Sequence, residues 1–216
     1  MVKQSLDIVF PFQANLKITK RNLPHWMLEG SIYWVTFRLS DSIPANKLAK
    51  WKNEYALWEK LNPKPWTNLQ RQNYNEHFEK KIEKWLDAGE GRCYLRDASI
   101  RELVQKQILF FDRQRYQVIA FVIMPNHIHL LMRPVGEYNF ANIMQRIKGS
   151  SARECNKLIG LTGKSFWQDE SYDHIVRDEE QLRFYLQYII NNPIKAKLRK
   201  DEWTLYVCEE VGEILR

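Results

Sequence analysis

Tyr116-Gln-Val-Ile-Ala-Phe-Val-Ile-Met124-Pro125-Asn126-His127-Ile128-His129-Leu130-Leu131-Met132 is the stretch on which the fold turns. Residues 116–124 form a dense run of β-branched and aromatic side chains, the signature of a buried strand. Pro125-Asn126 is a turn signal, and 127–132 reads as a second short strand. Two such runs across a tight turn make an antiparallel hairpin. Side chains alternate along a strand, so His127 and His129 share one face while Ile128 points into the core.

The flanks of this hairpin read in both directions. Ser31–Leu39 alternates, with Tyr33, Val35, Phe37 and Leu39 on one side and Ile32, Trp34, Thr36 and Arg38 on the other, which predicts a further strand. Ser99-Ile-Arg-Glu102 has the form of a capping box and leads into a helical stripe of Leu103, Val104, Ile108 and Phe111. Phe140–Leu158 reads as a helix with Phe140, Ile143, Met144 and Ile147 inward and Gln145, Arg146, Lys148, Arg153 and Lys157 outward, with Gly160 placed to end it. After an extended piece around His174–Arg177, Asp178 is an N-cap. Leu182, Tyr185, Leu186 and Ile189 mark a last helix that Pro193 is expected to stop. Strand, helix, two strands and helix make an α+β pattern, an antiparallel sheet with helices on one face.

The 216 residues fit one domain with an insertion. Its core is expected over about 22–44 and 92–200. Residues 45–91 are Lys/Glu/Trp-rich and helical in texture, and 194–216 is a basic C-terminal tail. Residues 1–28 look irregular, with a basic cluster at Lys17, Lys20 and Arg21 and turn signals at Pro11 and Pro24. No apolar run reaches the roughly 18 residues of a membrane span. The N-terminal Met1-Val-Lys-Gln-Ser-Leu-Asp7 lacks the apolar stretch of a signal peptide. Cys93, Cys155 and Cys208 are widely spaced and odd in number, which argues against a disulfide scaffold or a thiolate zinc site. A reduced, cytoplasmic protein is expected, nucleoid-associated when bound to DNA. The formal charge of +7, with 13% aromatic residues, suits a partner that is a polyanion with stackable bases, although a solvated basic surface has the same composition.

His127 and His129 side by side are metal ligands by chemistry, though His-x-His alone is also an ordinary strand pattern. Tyr188 and Asn192 are i and i+4, neighbours on one helix face, and Tyr188 faces away from the Leu182/Leu186/Ile189 stripe. Tyr185 reads as core, His174 as a hydrogen-bonded structural histidine, and Cys155 as a small buried filler. His25 and His77 read as surface or packing residues. Arg146, Lys148 and Arg153 are candidate phosphate contacts, as are Lys195 and Lys197 in the tail.

Met124-Pro-Asn-His-Ile-His-Leu-Leu, Phe166-Trp-Gln with Tyr172-Asp-His-Ile-Val-Arg-Asp, and Tyr188-Ile-Ile-Asn-Asn-Pro-Ile-Lys-Ala occur in order. Together they closely resemble the REP-associated tyrosine transposases, relatives of the insertion-sequence-200 type in the single-tyrosine HUH superfamily. The resemblance spans about residues 22–200 and is least specific over 45–90. It implies a ferredoxin-like (RRM-like) sheet with the His pair on a central strand, Tyr188 as nucleophile, and His127, His129 and Asn192 as ligands of Mg²⁺ or Mn²⁺. It further implies single-stranded or hairpin DNA as substrate, a 5′-phosphotyrosine intermediate, and a monomer or homodimer. Two other readings stay open: a domesticated hairpin-binding protein with little transposition activity, and an unrelated metal-dependent phosphodiesterase that uses water.

Overall fold

The structure is a computed structural model that describes residues 17–20, 24–27 and 30–213. Pro11, Arg21 and the side chains of Lys17, Lys20 and His25 lie outside the described residues. In chain order the elements begin with β1 (Lys17–Lys20), β2 (Pro24–Met27) and β3 (Tyr33–Arg38). Then come α1 (Ala45–Leu61), α2 (Asn68–Tyr74), a π-helical turn (Asn75–Glu79), α3 (Lys80–Asp87) and α4 (Ala98–Leu109). The chain continues through β4 (Tyr116–Ile123), β5 (His127–Pro134), α5 (Phe140–Leu158), β6 (Tyr172–Ile175), α6 (Glu179–Lys195) and β7 (Thr204–Val207).

β3, β4, β5, β6 and β7 form one five-stranded sheet in the order β6-β3-β5-β4-β7, every neighbour antiparallel. Without β7 the order β6-β3-β5-β4, with α4 and α5 as connections, is ferredoxin-like. The fold is α+β. One detail differs from the sequence reading, which put the helices on a single face. Val35, Phe37, Phe121, Ile128 and Leu130 pack against α4 and α5, while Trp34, Val122 and Leu131 pack against Leu182, Leu186 and Ile189 of α6 on the other face. A sheet buried on both sides explains why residues 116–124 show no polar alternation. A bulge at Ile119 also sets two successive residues, Ile119 and Ala120, toward the α6 side.

Helix starts follow local chemistry. Asp97 caps α4 by accepting from Ser99 N at 2.8 Å, and the Ser99 hydroxyl donates to the same carboxylate at 2.7 Å. The expected capping box at Ser99 is therefore corrected, because the ionised acid two residues earlier is the stronger acceptor. Asn139 caps α5 and Asp178 caps α6. α6 runs past Pro193 to Lys195. Proline removes the bond to the Ile189 carbonyl, but the last turn is closed by Ala196 N–H to Asn192 O at 2.9 Å and Leu198 N–H to Pro193 O at 3.0 Å. Two more elements depart from expectation. The stretch expected to be irregular contains the β1–β2 hairpin, and the basic tail adds β7 to the sheet edge beside β4.

α1, α2 and α3 rejoin the core at Gly91, where φ is +85° and an added Cβ would lie 2.5 Å from the Asp41 carbonyl oxygen. Arg92 N–H donates to Asp41 Oδ2 at 3.0 Å, and Asn126 Nδ2 donates to Glu90 O at 3.1 Å. These bonds tie the end of the helical stretch to the turn that precedes His127.

Candidate active site

β5 places His127 and His129 on the α6 face of the sheet, 1% and 2% exposed. Their Nε2 atoms lie 3.1 Å apart. His127 Nδ1 is 2.8 Å from Asn126 Oδ1. An amide oxygen only accepts, so that contact sets the proton on Nδ1 and leaves a lone pair on His127 Nε2. His129 Nδ1 is 2.8 Å from the Thr36 hydroxyl, its partner across the strands, which can donate or accept. When Thr36 donates, His129 Nε2–H bonds to His127 Nε2. When Thr36 accepts, two lone pairs converge and call for a cation. Burial drives both imidazoles neutral, lowering His127 to about 3 and His129 well below its ordinary value, the latter helped by His127 and Lys195. Neutral imidazole is the ligating form.

α6 supplies the other two residues. The Tyr188 ring lies 5.1 Å from that of His129 at 90°, and 5.5 Å from that of Trp34. Trp34 floors the site, stacked on His129 at 5.0 Å and on Tyr185 at 4.4 Å. Asn192 is 2% exposed, and neither its amide nor the buried Tyr188 hydroxyl beside it makes a hydrogen bond of ordinary geometry, although Asn192 and Glu83 both approach that hydroxyl. Each such orphaned polar group costs about 1–3 kcal/mol. A ligated cation would satisfy the amide oxygen. Adjacent donors around an octahedral ion with bonds of about 2.1 Å stand about 3.0 Å apart, close to the Nε2 separation. The donor set therefore fits a divalent ion held by His127, His129 and Asn192. Among the described residues no group of three or more His, Cys, Asp or Glu is assembled for a metal.

Tyr188 is surrounded by acids that the sequence reading did not single out. Burial raises its phenol, and the nearby carboxylates of Glu83 and Asp87 on α3 raise it further. Lys195 Nζ sits 5.7 Å from the centroid of the Tyr188 ring and 3.3 Å from Asp87 Oδ2. A cavity of about 250 Å³ opens beside His127, bordered by Asp87, Arg96, Lys197 and Glu202. His174 is hydrogen-bonded as read, through Nε2 to the Tyr185 hydroxyl, whereas Tyr185, read as core, is only half-buried. Cys155 is fully buried.

The helix cations divide. Arg146 and Arg153 line a groove of about 500 Å³ between α4 and α5, on the face of the sheet opposite the histidines. Arg146 lies 4.6 Å from the Phe111 ring, and Arg115 stacks at 3.7 Å on Phe111 and 5.4 Å from Tyr138. Neither guanidinium pairs with a carboxylate among the described residues. Phe110 and Tyr138 beside them are 54% and 48% exposed. Lys148, a candidate phosphate contact, is engaged within the chain. Its ammonium donates to Gln168 O at 2.8 Å, Asp169 O at 2.7 Å and Ser171 Oγ at 3.2 Å, so it holds the chain that leads into β6. Thr36, Glu83 and Asp87 were missed. Thr36 was legible as sharing the face that carries the histidines, and Glu79, Glu83 and Asp87 as a four-residue spacing; that the spacing faces α6 is tertiary information.

Residues 94–192 match the family described as "Transposase IS200 like". The REP-associated tyrosine transposase of Escherichia coli K12 is 28% identical over 96 residues, covering 44% of this chain and 54% of that protein. A Haemophilus influenzae protein provisionally given the same name is 32% identical over 89 residues, covering 37% of this chain and 51% of the relative. The chain thus spans about half the length of these curated relatives. A solved REP-associated tyrosine transposase bound to a REP hairpin aligns over 84% of this chain and 77% of its own, at 18% identity and a TM-score of 0.47.

Proposed function

We propose, from the match of residues 94–192 to the family described as "Transposase IS200 like", that this chain nicks and rejoins single-stranded DNA, with Tyr188 as the nucleophile. The observation that carries the reading is the convergence of two buried neutral imidazoles 3.1 Å apart with a tyrosine ring 5.1 Å from one of them. His127 Nε2, His129 Nε2 and Asn192 Oδ1 would hold Mg²⁺ or Mn²⁺. The ion, when bound, polarises a scissile phosphate oxygen and offsets charge as the nucleophile adds.

The chain's own residues do the rest. Asn126 fixes the His127 tautomer, Thr36 orients the His129 ring, and Trp34 holds the His129 plane. Tyr188 Oη forms the bond to phosphorus and the bond from phosphorus to the 3′-oxygen breaks. The phenol loses its proton, the departing 3′-oxygen gains one, and the 5′-phosphate stays on tyrosine. A 3′-hydroxyl of another strand reverses these bond changes, so joining needs no nucleotide cofactor.

The relatives' name associates them with REP elements, and hairpin DNA is the substrate class proposed here. The groove that carries Arg115, Arg146 and Arg153 beside exposed rings supports a DNA path, since guanidinium edges bind phosphate and flat rings accept unstacked bases. Incubation of a labelled hairpin oligonucleotide with Mn²⁺ tests the reading. Wild-type protein should cut it, and His127→Ala and His129→Ala should bind it but leave it intact. Normal cleavage by the double alanine variant would remove the metal assignment.

A further inference from the structure

α3 lies against the proposed nucleophile with its most acidic face. Glu79, Glu83 and Asp87 are spaced four residues apart, one above the other. Each meets a different group on β6 or α6. Glu79 accepts from the Tyr172 hydroxyl, Glu83 stands at the Tyr188 hydroxyl, and Asp87 pairs with Lys195 at 3.3 Å. Tyr188 and Lys195 are two turns apart on α6, so two helix faces are matched in register. Leu86, 2% exposed, anchors α3, and Asp87 borders the cavity that reaches His127.

This arrangement opposes the chemistry it covers. All three carboxylates are pushed up, in each case first by burial, and the Lys195 charge relieves only Glu83 and Asp87. A DNA phosphate approaching Tyr188 would meet two acids first. It would also find the cation beside the tyrosine already taken. Carboxylate and phosphate oxygens bind ammonium groups in the same way, so an acid in this place does in DNA-free protein what a phosphate would do in the complex.

Building on the reading of Tyr188 as a DNA-cutting tyrosine, we propose that Glu83 and Asp87 are phosphate surrogates and that the α1–α3 insertion is a gate. DNA enters by displacing α3 from Tyr188 and taking Lys195 from Asp87. The insertion then sets how strongly a strand must bind before it reaches the nucleophile.

The test uses full-length protein, with circular dichroism to confirm the fold of each variant. A fluorescein-labelled hairpin oligonucleotide is titrated in EDTA, so that no reaction follows binding, at several salt concentrations. Glu83→Gln with Asp87→Asn should bind more tightly than wild type, on the order of tenfold. Its plot of log Kd against log salt should steepen by up to about one unit, because no carboxylate is left to take up a cation in exchange when Lys195 moves to a phosphate. Adding Lys195→Met should cancel both changes, and Asp87→Asn alone should show the slope change. Unchanged or weaker binding by the double variant overturns the gate. So does a gain that survives Lys195→Met, which would reflect net charge alone. Absence of DNA binding by any form overturns it as well. Tighter, Lys195-dependent binding with no cleavage in Mn²⁺ by any form would sustain the gate and sink the nicking reaction.

Discussion

Thr36→Val perturbs the proposed metal site without touching a ligand. Thr36 Oγ1 lies 2.8 Å from His129 Nδ1, and valine keeps the branched shape while removing the hydroxyl. His129 stays placed by stacking on Trp34 at 5.0 Å and 14°, so the ring should not move far. What is lost is the partner that Nδ1 needs when Nε2 ligates, and with it basicity at Nε2. Outer partners of this kind are worth about 10–100-fold in metal affinity. With the ring still held by Trp34, the expected loss is near the low end, about tenfold, or about 1.4 kcal/mol. The orphaned Nδ1 should also destabilise the fold by about 1–3 kcal/mol. Initial rates of hairpin cleavage measured against Mn²⁺ concentration separate the effects. The half-saturating Mn²⁺ concentration should rise about tenfold while the plateau rate stays within a few-fold of wild type. A collapsed plateau with an unchanged midpoint would refute the argument, because Thr36 would then act on something other than the cation.

Three further expectations concern binding and stability. Arg146→Glu and Arg153→Glu should each flatten the salt dependence of DNA binding by about one unit, whereas Lys148→Ala should leave the slope alone and lower Tm, since its ammonium is spent on Gln168 O and Asp169 O; a slope change in Lys148→Ala would reverse that assignment. Gly91→Ala should cost about 1–3 kcal/mol of stability in denaturant titration, because φ is +85° and the new Cβ would meet the Asp41 carbonyl at 2.5 Å; a neutral result would mean the junction relaxes freely. Burial, with Arg177 second, lowers His174 from 6.5 to about 4; the unfolded chain then binds the extra proton, so the stability His174 confers is full above pH 6.5 and falls away, by up to about 3 kcal/mol, toward pH 4. Tm measured from pH 7 to pH 4 should accordingly drop less steeply in His174→Gln than in wild type, and parallel curves would contradict the shift.

The hairpin, the shared face of His127 and His129, and the start of α6 at Asp178 were legible because each depends on a few neighbouring residues. Alternation fixes the face of a strand, and a cap is one acid before a helix. Asn192 and Tyr188 were readable as one helix face, but their closeness to His129 depends on how α6 crosses the sheet. Pro193 misled at the helix end because a proline in the last turn forfeits one bond where the following amides can still close the turn. Lys148 read as a candidate phosphate contact, and its partners were not legible because they lie about 20 residues away and are mainly carbonyl oxygens, which no side-chain pattern reveals. β7 was missed because Thr204–Val207 is only four residues long, too short to show a period. The second helical layer was missed for a related reason, since dense apolar strands do not say which element covers each face.

The most direct test of the central claim is the fate of the label on a cut strand. Wild-type protein, incubated with a hairpin oligonucleotide and Mn²⁺, should form an adduct that survives denaturant and retains a label placed 3′ of the cut but not one placed 5′. Tyr188→Phe, lacking one oxygen, should bind the DNA and form no adduct, while Tyr185→Phe, whose hydroxyl is engaged by His174, should still form it. Contradiction would come from an adduct that persists in Tyr188→Phe, or from multiple-turnover cleavage with no adduct in any form.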